Sequence, residues 1–210
     1  VVATISRNGD LVHRMYLEHH AKFIGVHGVS YVDELGIVSN YGSNLMKKME
    51  IEIGGQLIDR NYGHYHAAYS ELTEFNPSGE STTLYNRMSG NGIGHCTGGD
   101  HGGEYDNTVD PQIGGWTITE PAAPNGAKIE GKFWIPFIFW FCRNPGLALP
   151  LIALQYHEVK VKITFEDVVN LVAEDTGGSW YSYNSTYPGE PNNDDGSKFD
   201  LWCDYIYLDT

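Results

Sequence analysis

The chain of 210 residues predicts an all-β domain built as a two-sheet sandwich, and three observations carry that prediction. Phe133 to Phe141 is an almost wholly apolar run broken only by Pro136, and a second apolar run, Leu147 to Leu154, follows the Asn144-Pro145-Gly146 turn. Val159 to Phe165 then alternates strictly between apolar and polar, with β-branched and aromatic residues at period two, the signature of a half-buried strand. Elsewhere the pattern gives short strands and a single stretch of helical spacing. The two apolar runs read as buried strands around a Pro/Gly corner, the second ending with one face in water. The first run is too short to cross a bilayer as a helix and carries a proline.

Taken in order, Val1 to Ile5 predicts a short strand that ends at the Asn8-Gly9-Asp10 turn. Leu11 to Glu18 places Leu11, His13, Met15 and Leu17 on one face, and a polar break follows at His19 to Lys22. Ser30 to Ile37 is a weaker strand, followed by a turn at Asn40 to Asn44. Met49 to Ile53 alternates cleanly, and Gly54-Gly55 marks a hairpin or a bulge before Gln56 to Asp59 resumes the extended pattern. Tyr65, Ala68, Tyr69 and Leu72 stand at i, i+3, i+4 and i+7, which predicts one short helix with those residues on its packed face and Asn76-Pro77 as its stop. From Pro77 to Ala127 the pattern dissolves among glycines into a loop far beyond the roughly 15 residues such segments usually reach. Trp116 to Thr119 reads as a small strand within it. A second long excursion, Asp167 to Lys198, is acidic and rich in tyrosine, and Leu201 to Leu208 returns to the core.

The bulk numbers bound the function. A formal net charge of -14 and a pI near 4.9 disfavour phosphate backbones, so no direct nucleic-acid binding is expected. The three cysteines, Cys96, Cys142 and Cys203, do not form a disulfide framework; Cys142 and Cys203 lie in apolar strand patterns as buried free thiols, which fits a reducing compartment. No stretch reads as a signal peptide or a transmembrane run.

Three segments carry a resemblance. Phe139 to Leu154 (F-W-F-C-R-N-P-G-L-A-L-P-L-I-A-L) resembles the signature run of the major capsid proteins of large icosahedral nucleocytoplasmic double-stranded DNA viruses, the double jelly-roll family. Ile53 to Arg60 with Tyr62-Gly63, and the closing Trp202 to Thr210, are similar to the same family and stand in the same order. The resemblance sharpens the sandwich to an eight-stranded antiparallel jelly roll with one short helix and two long loops. It implies that residues 1–210 form a single jelly-roll domain, the N-terminal half of such a protein, with the second jelly roll absent from this chain. It also implies a homotrimer that forms a pseudo-hexagonal capsomer, with neighbouring capsomers, minor capsid proteins and penton proteins as partners. The loops would gather at the outer end, the virion would be assembled in the host cytoplasm, and glycans would sit on outer loops.

Chemistry-bearing patterns are few, and no catalytic residue, cofactor or metal site is assigned. His95-Cys96-Thr97-Gly98-Gly99-Asp100-His101 offers metal-ligand types but no second pair at zinc spacing, so it reads as a polar loop. Gly90 to Gly94 lacks the phosphate-loop spacing, no nucleophile elbow is present, and Asp194-Asp195 lies in a solvated acidic loop. A cupin-type oxygenase would want two or three inward histidines on strands; here most histidines lie in breaks and loops, and His13 and His157, the exceptions, are scattered in the way structural histidines are. Asn184-Ser185-Thr186 is a glycosylation sequon, and Asn184 is the candidate modification site. Trp116, Trp180, Tyr181 and Tyr183 are the candidate inter-subunit loop contacts, because exposed aromatics fill a neighbour's groove or stack on sugars. The Lys160/Lys162 and Glu50/Glu52 pairs read as solvent faces or as a surface for a subunit of opposite charge. The structural shell subunit is the leading reading; the alternative is a carbohydrate-binding, lectin-like module on the same architecture.

Overall fold

A computed structural model describes residues 1–24, 26–27, 30–31, 34–38, 40–74, 84–91, 112–113, 116–119, 128–175, 180–182 and 198–208. Two antiparallel sheets dominate. One runs β1 (Val2–Thr4), β12 (Val159–Phe165), β6 (Met46–Ile53), β7 (Gln56–Tyr62). The other is built on the long strand β2 (Leu11–Ile24). β15 (Lys198–Ile206) lies along one side of β2. The opposite side takes β10 (Lys128–Pro136) and, further along, β11 (Leu149–Pro150). β9 (Trp116–Thr119) and β8 (Gln112–Ile113) continue outward from β10. Two minor sheets pair β5 (Glu34–Ile37) with β13 (Val172–Asp175) and β14 (Trp180–Ser182), and β3 (Val26–His27) with β4 (Ser30–Tyr31). The antiparallel all-β class is that expected from the sequence.

The alternation in β12 explains why the sheets stack. Val159, Val161 and Ile163 are buried while Lys160 and Lys162 face outward. They join Met49 and Ile51 of β6, Met15 and Leu17 of β2, and Phe133 and Ile135 of β10 in one core. Gly54 (φ +58°) and Gly55 (φ +83°) close the β6–β7 hairpin in the left-handed region that glycine enters freely. A register shift between Ile51 and Glu52 adds the bulge. The outward charges of this sheet pair with one another: Lys48 (3.1 Å) and Arg60 (2.7 Å) hold Glu50, and Lys162 holds Glu52. Lys160 likewise meets Glu158 at 2.8 Å, so the Lys/Glu stripes find partners within this sheet.

The central aromatic segment departs from the expected continuous strand. It is strand only to Pro136; Phe137 N still donates to the Met15 carbonyl of β2 at 3.0 Å before the chain turns away, and α4 (Trp140–Arg143) is a single helical turn. A 3-10 turn, Pro145–Leu147, forms the Pro/Gly corner, with Asn144 Oδ1 accepting from Gly146 N at 2.8 Å. The run after it pairs only through β11 and then turns. Regular pairing stops at Pro136, which cannot donate to a ladder. The segment is nevertheless core: Phe133, Ile135, Phe137, Phe139 and Phe141 are all buried. Cys142 sits on the helical turn rather than in a strand, half-buried like Cys203. Burial pushes the two thiols up to about 12 and about 11, so neither is a reactive thiolate.

The expected helix exists as α2 (Gly63–Thr73), but it packs through a different face. Gly63, His66 and Ser70 are buried, whereas Leu72 is 86% exposed and Tyr65 is exposed. Three further short helices are α1 (Tyr41–Leu45), where a turn was expected, α3 (Leu84–Ser89) inside the first long loop, and α4. The polar break at His19 to Lys22 is also absent. β2 continues to Ile24 because His19, Ala21 and Phe23 point inward. His19 Nε2 accepts from the Tyr41 hydroxyl at 2.9 Å, and Nδ1 donates to the Lys198 carbonyl at 3.3 Å. Its ring stacks on Phe199 at 4.3 Å.

These buried histidines make stability depend on pH. Burial pushes His19 down to about 4 and also lowers His66. Folded His19 stays neutral down to about pH 4, while unfolded histidines titrate near 6.5, and His66 is shifted in the same direction. As pH falls below that value the unfolded chain takes up protons that the folded chain refuses, so stability falls with pH at up to about 1.4 kcal/mol per unit per histidine. Urea melts at pH 7 and pH 5 are expected to differ by about 2 kcal/mol on account of His19, with His66 adding in the same direction. A flat profile across that window would contradict a neutral buried His19.

Candidate functional site

The interior holds one arrangement with the look of chemistry. Ser43 Oγ lies 2.8 Å from His66 Nδ1, within the reach of a nucleophile and its base. His66 Nε2 donates to the Pro136 carbonyl at 2.9 Å, so Nδ1 accepts from the Ser43 hydroxyl. Asn91 completes the chain: its Nδ2 donates to Ser43 Oγ at 3.0 Å, and its Oδ1 accepts from Ser43 N at 3.1 Å. Ser43 and His66 have no exposed surface, and both His66 ring nitrogens and the Ser43 hydroxyl are engaged by neighbours. The network therefore pins α1, α2 and the end of β10 together. His13 is likewise structural, with its Nδ1 donating to the Phe141 carbonyl at 2.9 Å. Among the described residues no three His, Cys, Asp or Glu side chains gather as metal ligands. The His95 to His101 run, Asp194-Asp195, Asn184 and Tyr183 lie outside the described residues.

Trp116 is not a loop contact. It is 3% exposed, packed 4.5 Å from the Phe133 ring and edge-on to Tyr41 at 4.8 Å, which leaves no side-chain surface for another subunit. The reason is its place at the start of β9, directly opposite Gly131 of β10, where the missing side chain leaves room on the inner face. Trp180 and Tyr181 fall in β14, opposite Asp175 and Glu174 of β13.

The exposed aromatic surface that stands out is one the sequence did not mark. On the outer face of the larger sheet, Trp134 of β10 pairs in register with Glu18 of β2, and Trp202 of β15 pairs with Tyr16. The Trp202 indole donates to Glu18 Oε2 at 2.5 Å, and Lys132 Nζ meets Glu18 Oε1 at 2.6 Å. The same ammonium stands 4.9 Å above the Trp134 ring. Hydrogen bonding from Lys132 first, then from Trp202, with a smaller contribution from Trp134, holds the Glu18 carboxyl below the usual carboxylate range against the opposing pull of desolvation. Trp202 is 56% and Trp134 38% exposed. The cluster went unseen because its partners are 184 residues apart and meet only through strand register.

A second exposed feature ties the signature run to α2. The Arg143 guanidinium lies over the Tyr69 ring at 5.0 Å and donates to the Tyr65 hydroxyl at 3.1 Å. That explains why two residues of the expected apolar face stay near the surface.

Comparison with known proteins decides the family. A family model described as "Major capsid protein N-terminus" matches residues 1–209. The chain belongs to that capsid protein family. It is 35% identical over 210 residues to the major capsid protein of Pyramimonas orientalis virus, covering 100% of this chain and 40% of that protein. It is 31% identical over 210 residues to the major capsid protein of Paramecium bursaria Chlorella virus 1, covering 100% of this chain and 36% of that one. Among solved structures it is similar to the quasi-atomic model of the PBCV-1 virus capsid, with a TM-score of 0.59 and 28% identity over 99% of this chain and 38% of that chain. The jelly-roll capsid fold expected from the three sequence segments is thus the fold of the family. The chain spans about two fifths of the length of those relatives, both named as major capsid proteins.

Proposed function

We propose that this chain is the N-terminal jelly roll of a major capsid protein that builds the icosahedral shell of a large double-stranded DNA virus. The observation that carries the reading is the family match over residues 1–209 together with a fold-level likeness to a virus capsid protein. In this reading the full-length protein forms a homotrimer of pseudo-hexagonal outline. It meets neighbouring capsomers, minor capsid proteins and penton proteins, and is assembled in the host cytoplasm into the virion. Three-fold closure follows from head-to-tail contacts between identical chains. The acidic surface keeps this domain from gripping the genome directly. Asn184 is the proposed site for a glycan on an outer loop, and Trp180, Tyr181 and Tyr183 are proposed as loop contacts between subunits.

Multi-angle light scattering of the purified full-length protein tests the core of the proposal. The expected mass is three times that of one chain, with contacts of the size that stable assemblies bury, at least about 1,200 Å² per pair. A protein that stays monomeric at every concentration while binding defined sugars on a glycan array would instead support the lectin-like module.

A further inference from the structure

We infer that the outward face of the β15–β2–β10 sheet, where Trp134 and Trp202 are drawn onto Glu18, is a surface through which one copy of this chain grips the next. The inference rests on the shell reading and deepens it by naming the face and the residues. Three observations carry it.

The first is the aromatic pair itself. Two large, exposed indoles stand in the middle of the strands of a rigid sheet rather than on a loop. Glu18 and Lys132 already fix their surroundings, at 2.5 Å from Trp202 and 2.6 Å between the two charges. Docking onto such a face costs little side-chain entropy, and tryptophan is the residue type most enriched at binding hot spots.

The second is charge. The chain carries a net -14, so two copies repel unless they meet where that charge is absent. This face is such a place. Its outward cations are Arg14, Lys22, Lys132 and Lys198. Its outward anions are Glu18, Glu130, Asp200 and, at the bulge, Asp204, which makes four against four among the described side chains. A neutral, aromatic face on an otherwise strongly acidic molecule suits a partner that is itself acidic, and another copy meets that condition.

The third is continuity with an open edge. Among the described residues β15 pairs only with β2, leaving its other edge unpaired beside the tryptophans, with Phe199 39% exposed on its opposite face. A glycan fits less well. Lys132 covers one side of the Trp134 ring, and the Trp202 N–H is already spent on Glu18, whereas a sugar platform needs bare rings beside unspent hydrogen-bonding groups.

The test uses the full-length protein. Trp134→Ser combined with Trp202→Ser is expected to leave far-UV circular dichroism unchanged and to raise the concentration needed for trimerisation at least about 100-fold, as loss of a hot-spot pair does. Glu18→Gln, which keeps both indoles but loosens them, is expected to raise it about tenfold. Hydrogen exchange on the wild-type protein supplies a readout free of folding artefacts: amides on the open edge of β15 are expected to exchange more slowly in the trimer than in the diluted monomer. A double variant that assembles at the wild-type concentration overturns this inference and leaves the shell reading intact. Slow exchange already present in the monomer overturns it too, because another segment of the same polypeptide then covers the face. A wild-type protein that never trimerises removes the shell reading and this inference together.

Discussion

Replacing Phe139 with alanine is expected to destabilise the domain by about 3–5 kcal/mol, the range for emptying a buried phenylalanine site. Phe139 has no exposed surface and stands between Phe137 at 5.7 Å and Phe141 at 5.8 Å, the three rings nearly parallel. Phe141 is braced in turn by Trp140, edge-on at 5.1 Å. Beyond Pro136 the ladder is reduced to a single bond, from Phe137 N to the Met15 carbonyl at 3.0 Å, so the rings rather than continuous strand pairing hold Phe139 in place. A cavity at the centre of the stack removes contacts on both sides at once, and few neighbours can collapse into it. Against a total stability of about 5–15 kcal/mol, the loss is a large fraction. Urea unfolding is the measurement: the midpoint should drop with an unchanged slope. Phe139→Leu, which keeps most of the volume, should cost markedly less, about 1–2 kcal/mol. Equal losses for the two variants would mean the stack is not the support that the geometry makes it.

What the sequence made legible was whatever depends on a strict local period. β12 could be placed on its own alternation, Gly54-Gly55 on the need for positive φ, and β9 on the four residues Trp116 to Thr119. Legibility ended where polar groups are buried because other polar groups meet them. His66 and Ser70 line the packed side of α2, yet an apolar count over residues 65–72 selects Tyr65, Ala68, Tyr69 and Leu72 instead. His19 reads as a break in a strand until Tyr41 and the Lys198 carbonyl, distant in sequence, are found at its two nitrogens. The Trp134–Glu18–Trp202 cluster is hidden for the same reason. Each residue is an ordinary outward position of its own strand, and only the pairing of β2 with both neighbours brings the three together. The expected loop aromatics fared unevenly for a related cause: Trp116 has a glycine opposite it and turns inward. Family resemblance reached the fold through a contiguous signature, but it pointed to no surface, because surfaces are assembled from register.

Gly42→Ala is expected to be at least as damaging as the loss of Phe139, although it adds a single methyl group. A Cβ at Gly42 would lie 2.0 Å from the Ser89 carbonyl oxygen and 3.2 Å from Asn91 Oδ1. Contacts under about 3 Å are not tolerated, and the obstacle is backbone, which cannot rotate aside as a side-chain tip can. α1 and the end of α3 must therefore separate. Separation breaks the paired hydrogen bonds between Ser43 and Asn91, and with them the orientation of Ser43 toward His66 and of His66 toward the Pro136 carbonyl. Buried groups left without partners cost about 1–3 kcal/mol each, so a loss of about 4 kcal/mol or more follows, enough to leave much of the protein unfolded at 37 °C. Gly55→Ala provides the contrast. Nothing lies within 4 Å of a Cβ there, and its cost is confined to the strained φ of +83°, about 1–2 kcal/mol. Thermal melts of the two variants beside the wild type separate steric exclusion from conformational preference. Near-equal melting temperatures for Gly42→Ala and Gly55→Ala would show that α1 and α3 are not locked by the Ser43–Asn91–His66 network.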